Sequence, residues 1–221
     1  PPRSTPKPSS AASDVYKRQA WSLVEVDVSG MVSRRRAIRE EFKQREGINI
    51  TYLPFVIKAV AESLKENPLL NSSWGEDSII MKSRINIGIA IATKAGLVVP
   101  VIHDADTLSI AGLAHSVEDI STRSREGTLT VDDVRGGTFT VNNTGVLGSV
   151  ASQPLVNYPQ AAIMTTEAIV KRPMIVADAI AIRSMMNICL SFDHRIMDGQ
   201  EVGEFTTAVK RRLEVVDGNT P

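Results

Sequence analysis

Four stretches of the chain repeat apolar residues at helical spacing, which predicts four amphipathic helices. They cover residues 31–45, 53–65, 109–125 and the stretch that follows Gly199. Gly47 and the pair Asn67-Pro68 stand where the first two helices should end, since glycine and proline both interrupt helices. The spacing therefore sets both the number of helices and two of their ends.

Shorter apolar or alternating runs predict strands. They cover residues 22–28, 79–81, 85–92, 97–102, 136–143, 161–170, 175–182 and 185–192. Pro100 favours an edge position for its strand, because proline cannot donate to a neighbouring strand. Strands and helices do not alternate strictly, and no Gly-x-Gly-x-x-Gly, P-loop or Gly-x-Ser-x-Gly motif is present. The pattern predicts an α/β fold with a mixed sheet and argues against a Rossmann fold.

The composition fits one sizeable folded domain. The 221 residues are 43% hydrophobic and 23% charged, and 25 basic residues balance 25 acidic ones. A formal net charge of zero gives no general attraction to nucleic acid or to a membrane surface, and no apolar run reaches membrane-spanning length. We expect neither partner, so any anion site must be a local one.

Residues 1–20 are predicted to be a linker or an unreliable N-terminal segment, because their first part is rich in proline, serine and alanine. The folded domain is expected to cover residues 21–221. Its single cysteine, Cys189, excludes an internal disulfide and a cysteine-rich metal site. Cys189 lies in an apolar run and is expected to be inert, and no metal ion is expected.

Candidate chemistry concentrates in residues 191–199, where an apolar strand gives way to a helix. His194 lies at this junction, and an imidazole titrates near neutral pH. Spacing alone leaves two interpretations open: His194 is a catalytic base, or it is a hydrogen-bonded structural residue beside Asp198 as a helix N-cap. His103 and His115 fall in a loop and on the polar side of a helix, so neither is expected to be catalytic.

The segment Asp-His-Arg-Ile-Met-Asp-Gly, residues 193–199, resembles the signature of the 2-oxoacid dehydrogenase dihydrolipoamide acyltransferase catalytic domain. Four further blocks resemble that family in the same order, at residues 53–59, 96–102, 136–145 and 156–163. Together the resemblance covers about residues 21–216. It implies a chloramphenicol acetyltransferase-like two-layer α/β sandwich with a large mixed sheet, and an acyltransferase catalytic domain at residues 21–221.

The resemblance also implies the reaction, in which an acyl group passes from acyl-dihydrolipoamide to coenzyme A with His194 as general base. Asn142 stands where the family commonly has a serine that stabilises the oxyanion, a task an amide can also perform. Asp198 corresponds to a second catalytic residue. We expect it instead to pair with Arg195 and fix the loop, since a carboxylate at a helix N-terminus is stabilised in its charged form.

By family position, coenzyme A would contact Arg35, Thr51, Asn142 and Asn143. Interpretations that involve no ligand also exist for three of these positions. Arg35 lies in a run of three arginines that could be a solvated face, Thr51 could be the N-cap of the second helix, and Asn142 lies on a polar strand face that could simply be exposed.

Assembly is implied by the resemblance as well: a homotrimer in which Asn142 of one subunit faces His194 of its neighbour, and a larger core built from such trimers. The lipoyl group would sit on a separate domain absent from this chain. Decarboxylase and dihydrolipoamide dehydrogenase subunits would bind through further missing domains. Residues 140–145 and 157–162 are most similar to the branched-chain type. The expected location is the bacterial cytoplasm, or the mitochondrial matrix in a eukaryote.

Two other functions remain open on sequence. One is a free-standing acyltransferase of the chloramphenicol type, although that family normally has His-His where this chain has Asp193-His194. The other is an oligomeric scaffold that has lost catalysis, which the asparagine at position 142 keeps open. His194 and Asp198 argue against the scaffold, because both are intact.

Overall fold

The computed structural model describes residues 18–94 and 96–216. The long helices in these ranges are α1 (Ser29–Glu46), α2 (Leu53–Glu66), α3 (Ile110–Glu126) and α4 (Gly199–Glu214). The strands are β1 (Gln19–Asp27), β2 (Ser72–Trp74), β3 (Ile79–Met81), β4 (Ile87–Ile89), β5 (Ile91–Thr93), β6 (Gly96–Val98), β7 (Val101–Ile102), β8 (Phe139–Asn143), β9 (Ala162–Thr166), β10 (Val170–Val176) and β11 (Ala179–Asp193). None of the helices in these ranges is long and apolar enough to cross a membrane.

One large mixed sheet organises the fold, as the sequence predicted. Its strands follow the order β1-β11-β9-β8-β4-β7, and β10 pairs with the first part of β11. The pairs of β8 with β4 and with β9 are parallel, while the other pairs are antiparallel. β7, which follows Pro100, lies at one edge, so the predicted edge position is confirmed.

The helices cover one face of this sheet and make the second layer. Alternate residues of β11, Ile188, Leu190 and Phe192, join the hydrophobic core on that side, as the period of two in a strand requires. α2 is buried along most of its length, which explains its nearly continuous apolar sequence. α1 ends at Gly47, whose φ of 76° is left-handed, so the predicted stop is confirmed.

The opposite face of the sheet is covered by an irregular segment, residues 148–160, rather than by helices. Gln19 holds this segment in both directions, donating from Nε2 to Pro154 O at 2.9 Å and accepting from Val156 N at 3.0 Å. Asn187 Nδ2 donates to Val150 O at 2.8 Å. Thr140 on this face is only 1% exposed, so the interpretation of the polar face of β8 as simply exposed is wrong.

Four strand predictions need correction. The run 161–170 contains β9 and only the first residue of β10, and residues 167–169 belong to neither strand. The run 175–182 is not one strand but the turn between β10 and β11, where Ala177 and Asp178 have φ of 48° and 61°. A two-residue turn with positive φ at both positions suits antiparallel strands, but the sequence Ala-Asp is only a weak predictor of such a turn. The runs 85–92 and 97–102 each divide into two strands, in the second case at Pro100.

The predicted N-terminal linker lies almost wholly outside the described residues. Gln19 and Ala20, which the prediction had assigned to it, belong to β1 and pair with Asp193 and Phe192. The folded sheet therefore begins before residue 21, and its first pair lies directly beside the candidate histidine.

Candidate active site

His194 lies at the junction that the sequence predicted, between the end of β11 at Asp193 and the start of α4 at Gly199. Its backbone N donates to Arg18 O at 2.9 Å, and its ring centroid lies 5.6 Å from that of Phe192. The side chain is exposed in the single chain. An imidazole on a rigid strand end with an open approach is suited to proton transfer.

Arg195 does not pair with Asp198, so the predicted ion pair is wrong. Its backbone N and Nε donate instead to Asp193 Oδ1 at 3.0 and 2.9 Å, and its Nη2 also bonds the carboxylate. The Asp193 carboxylate is nearly buried, where a planar guanidinium can satisfy both of its oxygens. His194 is thus flanked on both sides by residues that are locked to each other.

Trp74 completes this arrangement, and the sequence analysis missed it. The Arg195 guanidinium carbon lies 5.1 Å from the centroid of the Trp74 ring, a cation–π contact. Trp74 comes from β2, whose short ribbon with β3 lies outside the main sheet. A tryptophan in a three-residue strand gave no signal of this role.

Asp198 is the N-cap of α4, in agreement with the structural interpretation. It accepts from Gln200 N at 2.8 Å, and Glu201 reciprocates by accepting from Asp198 N at 3.1 Å, which makes a capping box. The hydrogen bond from Gln200, the Glu201 contact and then the charge of His194 lower the pKa of Asp198. A carboxylate held in its charged form orients the junction but is a poor proton donor.

Asn142 and Asn143 end β8, far from His194 in the same chain. Asn142 pairs with Thr165 of β9, and Thr165 pairs with Cys189 of β11. His194 lies five positions beyond Cys189 along the chain, which is about 17 Å along an extended strand. The structure does not bring the predicted base and the predicted oxyanion donor together within one subunit.

The buried carboxylate of Glu167, only 2% exposed, lies beside the end of β8. Thr165 Oγ1 donates to its Oε1 at 2.7 Å, and Thr144 Oγ1 donates to its Oε2 at 2.8 Å. Burial alone would raise the pKa of Glu167, but hydrogen bonds from Ser149, Ser152, Thr165 and Thr144 outweigh it and lower the pKa. Sequence analysis missed this residue as well.

Arg35, on α1, is held in place by the residues that precede α2. Its Nε donates to Ile50 O at 2.9 Å, and its guanidinium carbon lies 4.8 Å from the centroid of the Tyr52 ring. Thr51 is exposed and is not the N-cap of α2, since Tyr52 occupies that position without a side-chain hydrogen bond. The N-cap alternative for Thr51 is therefore wrong.

A cavity of about 180 Å³ joins these two regions. Tyr52, Leu53 and Val56 line it from α2 and the residue before it, and Asn143 lines it from β8. Arg35 contacts the lining residue Tyr52, and Thr51 precedes Tyr52 in the chain, so both lie next to this cavity. Of the four predicted coenzyme A residues, Asn143 lines this cavity, while Asn142, Thr51 and Arg35 adjoin lining residues along the chain or by contact with Tyr52. His194 is not among the lining residues.

A roomier cavity of about 600 Å³ lies elsewhere, between α1, α2 and the end of α4. Apolar residues such as Phe42, Ile50 and Phe55 line it, and none of the predicted site residues does. His115 bonds Glu46 on the surface at 3.1 Å. Across the described ranges, no three His, Cys, Asp or Glu side chains are grouped as a metal ion would require.

Known proteins are similar to this chain over nearly its whole length. The model of the family "2-oxoacid dehydrogenases acyltransferase (catalytic domain)" matches residues 16–218. The lipoamide acyltransferase component of the branched-chain alpha-keto acid dehydrogenase complex of Bacillus subtilis is 51% identical over 202 residues, which are 91% of this chain and 48% of that protein. The chain thus spans about half the length of that relative.

Solved structures agree in fold. A probable dihydrolipoamide acetyltransferase from Listeria monocytogenes superposes with a TM-score of 0.90 at 46% identity, covering 97% of this chain and 96% of that one. The Azotobacter vinelandii dihydrolipoamide acetyltransferase gives 0.87 at 29% identity, with 93% and 87% covered. Chloramphenicol acetyltransferase, at 16% identity and a TM-score of 0.58, shares the fold, which confirms the predicted sandwich. The chain belongs to the 2-oxoacid dehydrogenase acyltransferase family, as a catalytic domain.

Proposed function

We propose that this chain transfers an acyl group from acyl-dihydrolipoamide to coenzyme A, as the core of a 2-oxoacid dehydrogenase complex of the branched-chain type. The observation that carries the proposal is His194, exposed at the end of β11, with the Asp193–Arg195 pair on either side of it and the Asp198 cap after it. The name of the Bacillus subtilis relative supports the branched-chain assignment.

The chemistry needs one well-placed base. A thiol with a pKa of about 8.5 is mostly protonated at neutral pH, so His194 takes the proton from the coenzyme A thiol as its sulfur attacks the thioester carbon. The tetrahedral intermediate collapses by breaking the bond to the dihydrolipoamide sulfur. That sulfur recovers the proton from the imidazolium, so His194 ends neutral and no covalent enzyme intermediate forms.

The oxyanion of the intermediate needs a donor, for which we propose the Asn142 amide. Since Asn142 lies about 17 Å along the strand direction from His194 in its own chain, the donor must come from a neighbouring subunit. The catalytic mechanism of the Azotobacter relative has been investigated through a serine, a histidine and an asparagine. A histidine with a separate polar donor is consistent with that set.

Arg35, Thr51, Asn142 and Asn143 would hold coenzyme A. Arg35 uses Nε for Ile50 and stacks on Tyr52, and an arginine anchored in this way can offer its other nitrogens to a phosphate. The 180 Å³ cavity beside Asn143 would take the thiol-bearing arm. The acyl donor would be a lipoyl group carried by another domain.

The working unit would be a homotrimer that assembles into a larger core. Large apolar side chains are exposed on the β10–β11 ribbon, where Ile175, Ile180 and Ile182 are 71, 78 and 75% exposed. Leu147, after β8, is 84% exposed. Exposed apolar side chains grouped on one ribbon are typical of protein contacts. A free-standing chloramphenicol-type enzyme and a scaffold without catalysis are the competing functions.

The first test replaces the proposed base. His194→Ala should lower the rate of coenzyme A acylation by about 100-fold or more, measured with isobutyryl-dihydrolipoamide as donor. Light scattering should show an unchanged oligomer. His115→Ala, a surface histidine, is the matched control and should keep full activity. Near-normal turnover of His194→Ala would exclude the assignment.

The second test concerns coenzyme A binding. Arg35→Met should raise the KM for coenzyme A by roughly 10- to 100-fold, because hydrogen bonds to charged groups contribute about 1.5–3 kcal/mol, and should leave kcat nearly unchanged. The KM for pantetheine, which has the thiol but no phosphate, should not change. Arg36→Met is the matched control. An equal rise of KM for both thiols would contradict the phosphate contact.

The third test separates the two roles of Asp198. Asp198→Asn keeps a cap acceptor, so its turnover should fall by less than about 10-fold. That decrease is much smaller than the decrease caused by removing an acid–base group. Its Tm should be lower than wild type at pH 7, and Asp198→Ala should be less stable still. Because folding lowers the pKa of Asp198, its charge stabilises the fold fully above the unfolded pKa of about 3.9, and this stabilisation is lost as the pH falls from there through the lower folded pKa.

The Tm difference between wild type and Asp198→Asn should therefore persist down to about pH 4 and narrow as the pH falls further. A loss of turnover of about 100-fold or more in Asp198→Asn, with an unchanged Tm, would instead assign Asp198 a direct part in catalysis.

A further inference from the structure

Glu167 is the buried charged group that the proposed chemistry does not use. A carboxylate that is 2% exposed is costly to bury unless its oxygens are satisfied. Among the described residues, hydroxyl groups rather than a cation supply the hydrogen bonds to this carboxylate. Ser152 Oγ donates at 2.5 Å from the covering segment, in addition to Thr165 and Thr144. One carboxylate thus joins three separate parts of the chain.

Two of these three parts adjoin Asn142. Thr165 is its directly paired neighbour on β9, and paired residues carry their side chains side by side on one face. Thr144 follows Asn142 by two residues. Both threonine hydroxyls donate to Glu167, one to each oxygen. Asn142 therefore lies next to two residues whose hydroxyl groups share one carboxylate, Thr165 on the neighbouring strand and Thr144 two positions along the chain.

Close packing reinforces this arrangement. A Cβ atom at Gly145 would lie 2.4 Å from the backbone carbonyl of Glu167, nearer than real Cβ contacts allow. The residue after Thr144 thus lies directly against the backbone of Glu167. The end of β8 has little room to move relative to β9 while these contacts last.

We propose that Glu167 is a positioning residue for Asn142. The inference rests on the proposed function, in which the Asn142 amide stabilises an oxyanion in the site of a neighbouring subunit. A donor of this kind must be held in place before the reaction, within about 0.5 Å of the productive geometry. Glu167 provides this by binding the hydroxyl groups of Thr165 and Thr144. It acts through Asn142, although it also lines the 180 Å³ cavity.

A double-mutant cycle tests the coupling. Asn142→Ala should lower kcat by about 100-fold. Glu167→Gln should lower kcat by about 10-fold or more, because a displaced catalytic group is costly, with little change in the KM for coenzyme A. In the Asn142→Ala background, Glu167→Gln should cause no further loss, since the residue that it positions is gone. Oligomer size and Tm are measured for each variant.

Thr144 supplies a milder pair of variants if Glu167→Gln does not assemble. Thr144→Val removes one hydroxyl donor and should lower kcat only when Asn142 is present, while Thr144→Ser keeps the hydroxyl and should restore kcat. An equal loss in both backgrounds, for Glu167→Gln or Thr144→Val, would overturn the positioning role and leave the oxyanion role standing. Unchanged turnover in Asn142→Ala itself would overturn both roles. Neither result would touch the assignment of His194, which has its own variant.

Discussion

The register of β11 is the constraint on which both halves of the site depend. This 15-residue strand pairs with β10 through its first half and with β1 and β9 through its second half. The same pairing places His194 just beyond one end and sets Asn142 level with Cys189, near the middle. A shift by one residue would turn every side chain of β11 to the other face. The distance between base and oxyanion donor is thus built into the sheet.

The buried polar face of the sheet constrains the region around Asn142 through its hydrogen bonds. Thr140, Thr165 and Glu167 are each less than 3% exposed, and a buried polar group without a partner costs about 1–3 kcal/mol. The irregular segment 148–160 supplies partners, for example Ser152 to Glu167 and Asn157 to Thr140. Its conformation is therefore tied to the strand end that it covers. A covering helix would have required an apolar sheet face, whereas the face covered by residues 148–160 carries a network of hydrogen bonds.

The sequence predicted most of the architecture because periodicity reports burial directly. All four helices, the edge position after Pro100, the cap at Asp198 and the junction at His194 follow from local patterns. The partner of Arg195 did not follow, because Asp193 and Asp198 are both near in sequence and only the strand geometry selects between them. Glu167 and Trp74 were missed because their contacts join segments distant in the chain. The β10–β11 turn was missed because Ala-Asp carries no glycine or asparagine.

Hybrid oligomers test most directly whether the site is shared between chains. His194→Ala and Asn142→Ala subunits, each nearly inactive alone, are mixed under conditions where subunit exchange is demonstrated, and coenzyme A acylation is measured. If the base and the oxyanion donor come from different subunits, random mixing pairs an intact histidine with an intact asparagine at about one interface in four of a symmetric ring. Activity should then recover to about a quarter of the wild-type value. Hybrids no more active than their parents, or a fully active monomer, would contradict the account.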